Sequence, residues 1–94
     1  MIRSFGDERT RRVFNREPVR ELPPEILRRA LRKLLLLDAA DEITDLQVPP
    51  GNRLERLRGD LEGFWSIRIN DQWRIVFRWR EGGTHSVEIT DYHR

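Results

Sequence analysis

Residues 64–92, FWSIRINDQWRIVFRWREGGTHSVEITDY, decide the fold, because apolar side chains recur there at every second position. A period of two belongs to strands with one buried face, and three runs carry it: residues 64–69, 73–80, and 86 to about 92. The connections Asn70-Asp71-Gln72 and Glu81-Gly82-Gly83 are short and rich in turn formers, so sequential antiparallel pairing is the simplest arrangement. Alternation then assigns the faces. Trp65, Ile67, Ile69, Trp73, Ile75, Phe77, Trp79, Val87 and Ile89 form the apolar set, which helices should cover. Ser66, Arg68, Arg74, Val76, Arg78, Arg80, Glu88, Thr90 and Tyr92 form an open, polar, Arg-rich face.

Upstream, residues 54–57 predict a further strand, joined to the next by a turn over residues 59–63. Before it, Val48-Pro49-Pro50-Gly51-Asn52 has the composition of a fixed loop, and residues 41–46 predict one short helical turn. A long helix is expected over residues 24–39, with Pro24 at its first position and Leu27, Ala30 or Leu31, Leu34 and Leu37 on one stripe. Arg28, Arg29, Arg32 and Lys33 turn elsewhere. A shorter helix, capped by Asp7, runs through Val13 and Phe14 to about Asn15, and residues 1–5 predict a short edge strand. The expected fold class is α+β: a single domain over residues 1–94, two N-terminal helices packed on a twisted antiparallel sheet.

Composition narrows the function. A chain of 94 residues buries only ~60 to 65% of its unfolded surface, enough for one core. No apolar run approaches the ~20 residues that cross a bilayer, and the opening Met1-Ile2-Arg3-Ser4-Phe5 lacks the apolar stretch of a secretion signal, so a cytoplasmic protein with no membrane partner is expected. The chain has no cysteine and two separate histidines, His85 and His93, which excludes disulfides and argues against a metal cluster. Charge is uneven: ten basic and five acidic residues up to Leu37, eight basic and eleven acidic after it. Seventeen of the eighteen basic residues are Arg, a bias that suits bidentate phosphate recognition and equally suits a GC-rich genome.

Two features point to chemistry. Arg68, Arg74 and Arg78 fall on neighbouring strands of the open face, where like charges repel unless an anion or an acidic partner relieves them. A phosphate backbone or an acidic peptide would do so, and Glu88 is an internal alternative. The terminal Asp91-Tyr92-His93 places three proton-handling or hydrogen-bonding groups at the end of the last strand, although a surface His near a terminus is commonly just solvated. His85, after the Gly-Gly turn, reads as an exposed loop residue. The three Trp side chains fall on the buried face and read as core.

The run from Val48 to Trp79, VPPGNRLERLRGDLEGFWSIRINDQWRIVFRW, closed by Val87-Glu88-Ile89-Thr90-Asp91-Tyr92-His93, resembles the HigB or plasmid-maintenance-killer toxins of the RelE superfamily. The motifs PPGNRLE and SIRINDQWR with the terminal DYH carry the resemblance, which extends to the opening residues and to Leu37-Asp38-Ala39-Ala40. It implies a RelE-like fold whose concave sheet face enters the decoding site of the 70S ribosome and cleaves messenger RNA. It also implies a HigA-like helix-turn-helix antitoxin as partner, which would contact operator DNA, since this chain has no DNA-binding motif of its own.

Family members need no metal or cofactor: a ribose 2′-hydroxyl attacks the adjacent phosphate, giving a cyclic phosphate and a free 5′-hydroxyl. By that resemblance Arg74 holds the scissile phosphate, with Arg58, Arg68 and Arg78 as RNA- and phosphate-binding helpers. Tyr92 and His93 are the candidates for proton transfer, with Asp91 orienting or charging the imidazole, and Phe64 flanks the site. Arg58 departs from relatives that carry Lys there; a guanidinium stabilises charge but does not accept a proton, so the base lies among Tyr92, His93 and Asp91. Two other readings stay open: a gyrase-poisoning toxin of the ParE kind, which shares the scaffold, and a non-catalytic module whose Arg face docks an antitoxin or ribosomal RNA.

Overall fold

A computed structural model describes residues 1–92. Helix α1 spans Glu8–Phe14 and helix α2 spans Pro24–Ala39; strands β1 Glu55–Arg56, β2 Phe64–Arg68, β3 Trp73–Arg80 and β4 Gly83–Asp91 follow. The strands form one antiparallel sheet in sequence order, β1-β2-β3-β4. The α+β expectation, two helices against an antiparallel sheet, is met.

Local chemistry explains the helices. The Asp7 side chain accepts from Thr10 N at 2.9 Å, satisfying one of the free N–H groups at the start of α1. Pro24 opens α2, where its missing N–H costs nothing. The buried residues of α2 are Ile26, Ala30, Leu34 and Leu37. The expected stripe is therefore rotated: Ile26 takes the place of Leu27, and Leu27 and Leu31 lie at the margin. Against this stripe pack Ile67, Ile69, Ile75, Phe77, Val87 and Ile89, all within 1% of complete burial. Trp73 is buried, whereas Trp65 and Trp79 pack on the core from its edge. Among the described residues, no helix is long and apolar enough to cross a membrane.

Thr10 ties α1 to the sheet. It is completely buried, and its hydroxyl accepts from Ile89 N at 2.9 Å. Thr10→Val keeps the shape and strands that N–H, so urea unfolding should show a loss of about 1–3 kcal/mol with an unchanged slope. An unchanged midpoint would refute this role.

Three sequence expectations need correction. The first strand is two residues long, because Arg53 before it is left-handed (φ 46°) and a 3-10 turn, Gly59–Leu61, follows closely. The N-terminal edge strand amounts to two isolated parallel bridges to β4, Ile2 with Thr84 and Phe5 with Val87. Last, β4 starts at Gly83 instead of Ser86, after a two-residue turn in which Glu81 and Gly82 both have positive φ. A bulge lies inside it: register shifts between Val76 opposite Glu88 and Arg78 opposite His85, and Ser86 takes φ 53°. Its N–H is satisfied by the Ser4 hydroxyl at 2.9 Å. The bulge turns both Thr84 and Val87 into the core and sets His85 opposite Arg78, so His85 is a half-buried strand residue on the Arg face, not a loop residue.

Candidate active site

The face away from the helices presents Phe64, Ser66 and Arg68 from β2, Arg74, Val76 and Arg78 from β3, and His85, Glu88 and Thr90 from β4, with Tyr92 just beyond. Arg68 lies directly opposite Arg74, on the face that alternation assigns to both. Glu55 of β1 lies opposite Ser66 and so joins the same face.

Arg74 is the best-fixed cation. Its Nε donates to Ser66 Oγ at 2.8 Å, and its Nη2 donates to the Arg53 carbonyl at 2.7 Å and to the Ser66 carbonyl at 3.4 Å. Its Cζ stands 5.8 Å from the centroid of the Tyr92 ring. Among the described residues Nη1 has no partner, so two N–H groups of a held guanidinium remain for a ligand. Burial pulls the Arg74 pKa below the ordinary arginine value, with Arg68 and Arg53 pulling the same way and Glu55 and Tyr92 opposing. A partly desolvated cation beside two others is a favourable place for an anion.

The other arginines differ in use. Arg68 is paired with Asp71, which relieves part of its repulsion with Arg74. Arg78 stacks on Phe64, its Cζ 4.4 Å from the ring centroid. Glu88, the internal partner considered from sequence, pairs with none of them among the described residues. Arg58 stands apart: exposed at the start of the Gly59–Leu61 turn, it lines an open hollow of about 530 Å³ with Arg56, Leu57, Glu62, Gly63 and Trp65 beyond the β1 edge.

The terminal motif divides. Tyr92 is half-buried beside Arg74, anchored by its N–H to the Gln72 carbonyl at 2.6 Å. Asp91 pairs opposite Trp73, on the other side of the strand, and accepts from Gln72 Nε2 at 3.2 Å. His93 lies outside the described residues. One strand step from Arg74, the face holds a hollow of about 200 Å³ lined by Leu61, Phe64, Val76, Ser86, Glu88 and Thr90.

Sequence reasoning overlooked three contributors. Ser66 has the pattern of an ordinary polar position, yet it is completely buried as the acceptor for Arg74. The Arg53 carbonyl carries no signal in a sequence. Glu55 does carry a signal, since it closes the PPGNRLE motif and lies opposite Ser66 on the open face.

Comparisons with known proteins bear on the family and the fold. The family profile described as the RelE-like toxin of the type II toxin–antitoxin system HigB matches residues 3–93. The chain is 42% identical over 83 residues to Toxin HigB-1 of Vibrio cholerae, covering 87% of each. It is 32% identical over 93 residues to Endoribonuclease HigB of Proteus vulgaris, covering 99% of this chain and all of the relative. Among solved structures, the YoeB-YefM complex from Staphylococcus aureus contains a chain of the same fold, with a TM-score of 0.63 at 15% identity over 100% of this chain and 99% of that one. The chain belongs to the HigB-like family of RelE-like toxins of type II toxin–antitoxin systems.

Proposed function

We propose that this toxin is an endoribonuclease that cleaves messenger RNA on the ribosome. The observation that carries the reading is the Arg74 guanidinium, held by Ser66 and the Arg53 carbonyl with two N–H groups that meet no partner among the described residues. It lies between a carboxylate on one side in strand order, Glu55, and a phenol on the other, Tyr92. Cleavage by a 2′-hydroxyl needs a group that accepts the proton of the nucleophile, a group that protonates the leaving 5′-oxygen, and a cation at the phosphate, whose charge grows in the transition state. Arg74 supplies the cation. Glu55 joins Tyr92 and His93 among the proton-transfer groups, Asp91 facing the other side of the strand, and a carboxylate suits the accepting role. Arg68 and Arg78 flank the phosphate path, and Arg58 lies where a more distant phosphate would pass. The hollow beside Thr90 and Phe64 has room for a base next to that phosphate. The name of the Proteus vulgaris relative, an endoribonuclease, supports the same chemistry.

The small net charge of +2 suits a protein that does not grip free RNA by itself and relies on the ribosome for positioning. The partner is an antitoxin of the HigA-like helix-turn-helix kind, which would carry the operator contacts; the toxin–antitoxin family and the YoeB-YefM neighbour support an antitoxin.

Purified protein added to a translating extract with one defined messenger tests the reading. Breaks within codons that vanish when ribosomes are omitted, with DNA supercoiling by gyrase untouched, are expected. Intact messenger together with inhibited gyrase would instead make the chain a toxin of the ParE kind.

A further inference from the structure

We propose that Lys33 and Asn52 are positioning residues for Arg74, joined to it by a hydrogen-bonded relay that runs from α2 through the loop before β1. The effect on rate rests on the nuclease reading; the relay itself does not.

A long basic side chain has much rotamer entropy to lose, so a guanidinium confined to one pose needs acceptors that are themselves fixed. Ser66 is fixed by the β2–β3 ladder. The second acceptor, the Arg53 carbonyl, lies in a loop and owes its direction to a left-handed backbone, φ 46° and ψ 56°. That conformation is unfavourable for a residue with a Cβ and persists only where neighbours impose it.

The neighbours are explicit. Arg53 N donates to the Pro50 carbonyl at 3.1 Å and Asn52 N to the Pro49 carbonyl at 2.9 Å. Asn52 is completely buried; its Nδ2 donates to the Leu46 and Val48 carbonyls at 3.1 and 3.2 Å. Its remaining polar atom, Oδ1, accepts from Lys33 Nζ. Among the described residues, Lys33 is thus the one side chain outside the loop that holds the residue preceding Arg53, and removing it leaves a buried carbonyl oxygen without that partner. Burial lowers the Lys33 pKa, and Arg29, Arg32 and Arg68 add to the shift. A space-filling apolar residue would avoid that penalty, so the ammonium is there for its hydrogen bond.

The test uses the full chain labelled with nitrogen-15. The Arg74 Nε–H resonance, identified by its disappearance in Arg74→Lys, reports the pose directly. In Lys33→Met it should shift and exchange with water faster, while ribosome-dependent cleavage loses kcat by about 10- to 100-fold with KM within about twofold. Lys33→Arg, which restores a donor, should recover both signals. If Lys33→Met folds poorly, Lys33→Ala, which also removes the donor, replaces it with the same expectations. An Arg74 resonance indifferent to Lys33, or a rise in KM with kcat intact, would overturn the relay and make Lys33 an RNA-facing cation. A resonance that moves in a protein whose unmodified form cuts nothing would support the relay and refute the nuclease reading.

Discussion

Arg74→Lys is expected to lower messenger cleavage by about 10²- to 10³-fold, the range for losing one preorganised donor to a developing oxyanion. The substitution keeps the charge, so a large effect isolates geometry from electrostatics. Lysine has one nitrogen where arginine has three in a plane. Among the described residues Nε and Nη2 are committed to Ser66 and Arg53 and Nη1 is not, so Nη1 is the donor proposed for the phosphate. An ammonium satisfying Ser66 cannot also reach an outer ligand at the same place. Single-turnover cleavage on ribosomes, with urea unfolding as a control for the fold, measures the loss. Activity within about threefold of the unmodified protein would show that only a diffuse positive charge is needed.

The second large effect concerns proton transfer. Glu55→Gln and Tyr92→Phe should each lower cleavage by about 10²- to 10⁴-fold, the usual range for a positioned acid or base. Both are nearly isosteric: Glu55→Gln keeps the position opposite Ser66, and Tyr92→Phe keeps the ring over Arg74. The double variant is the sharper experiment. Groups that serve one step as acid and base lose little more together than apart, whereas two independent contributions multiply. A double variant near the weaker single is therefore expected. Multiplying losses would assign the two residues to separate roles, and full activity in Glu55→Gln would return the base to Tyr92 or His93.

The parts of the fold legible in the sequence were those with an unbroken period. Residues 64–68 and 73–80 alternate cleanly, and from them the shared face of Arg68 and Arg74 on neighbouring strands followed, while their direct opposition is a matter of register. The errors sit where periodicity was interrupted by backbone geometry. At Ser86 one extra residue breaks the alternation, so Thr84 and His85 looked like loop and the true start of β4 was hidden. In α2 the apolar positions outnumber those a single stripe needs, and which of Ile26 and Leu27 is buried depends on how the helix sits against the sheet. The site was partly legible for the same reason. Its arginines sit on regular strands, but the groups that aim Arg74 are a backbone carbonyl on a left-handed residue and a buried serine, neither of which a residue pattern marks.

Primer-extension mapping of one defined messenger, incubated with the unmodified toxin or with Arg74→Lys, in the presence and absence of ribosomes, tests the central claim most directly. The arrangement of the Arg face predicts breaks within codons only where the unmodified protein and ribosomes are present together, and at most traces with Arg74→Lys. Equal cutting by both proteins, or an intact messenger with both, would contradict it.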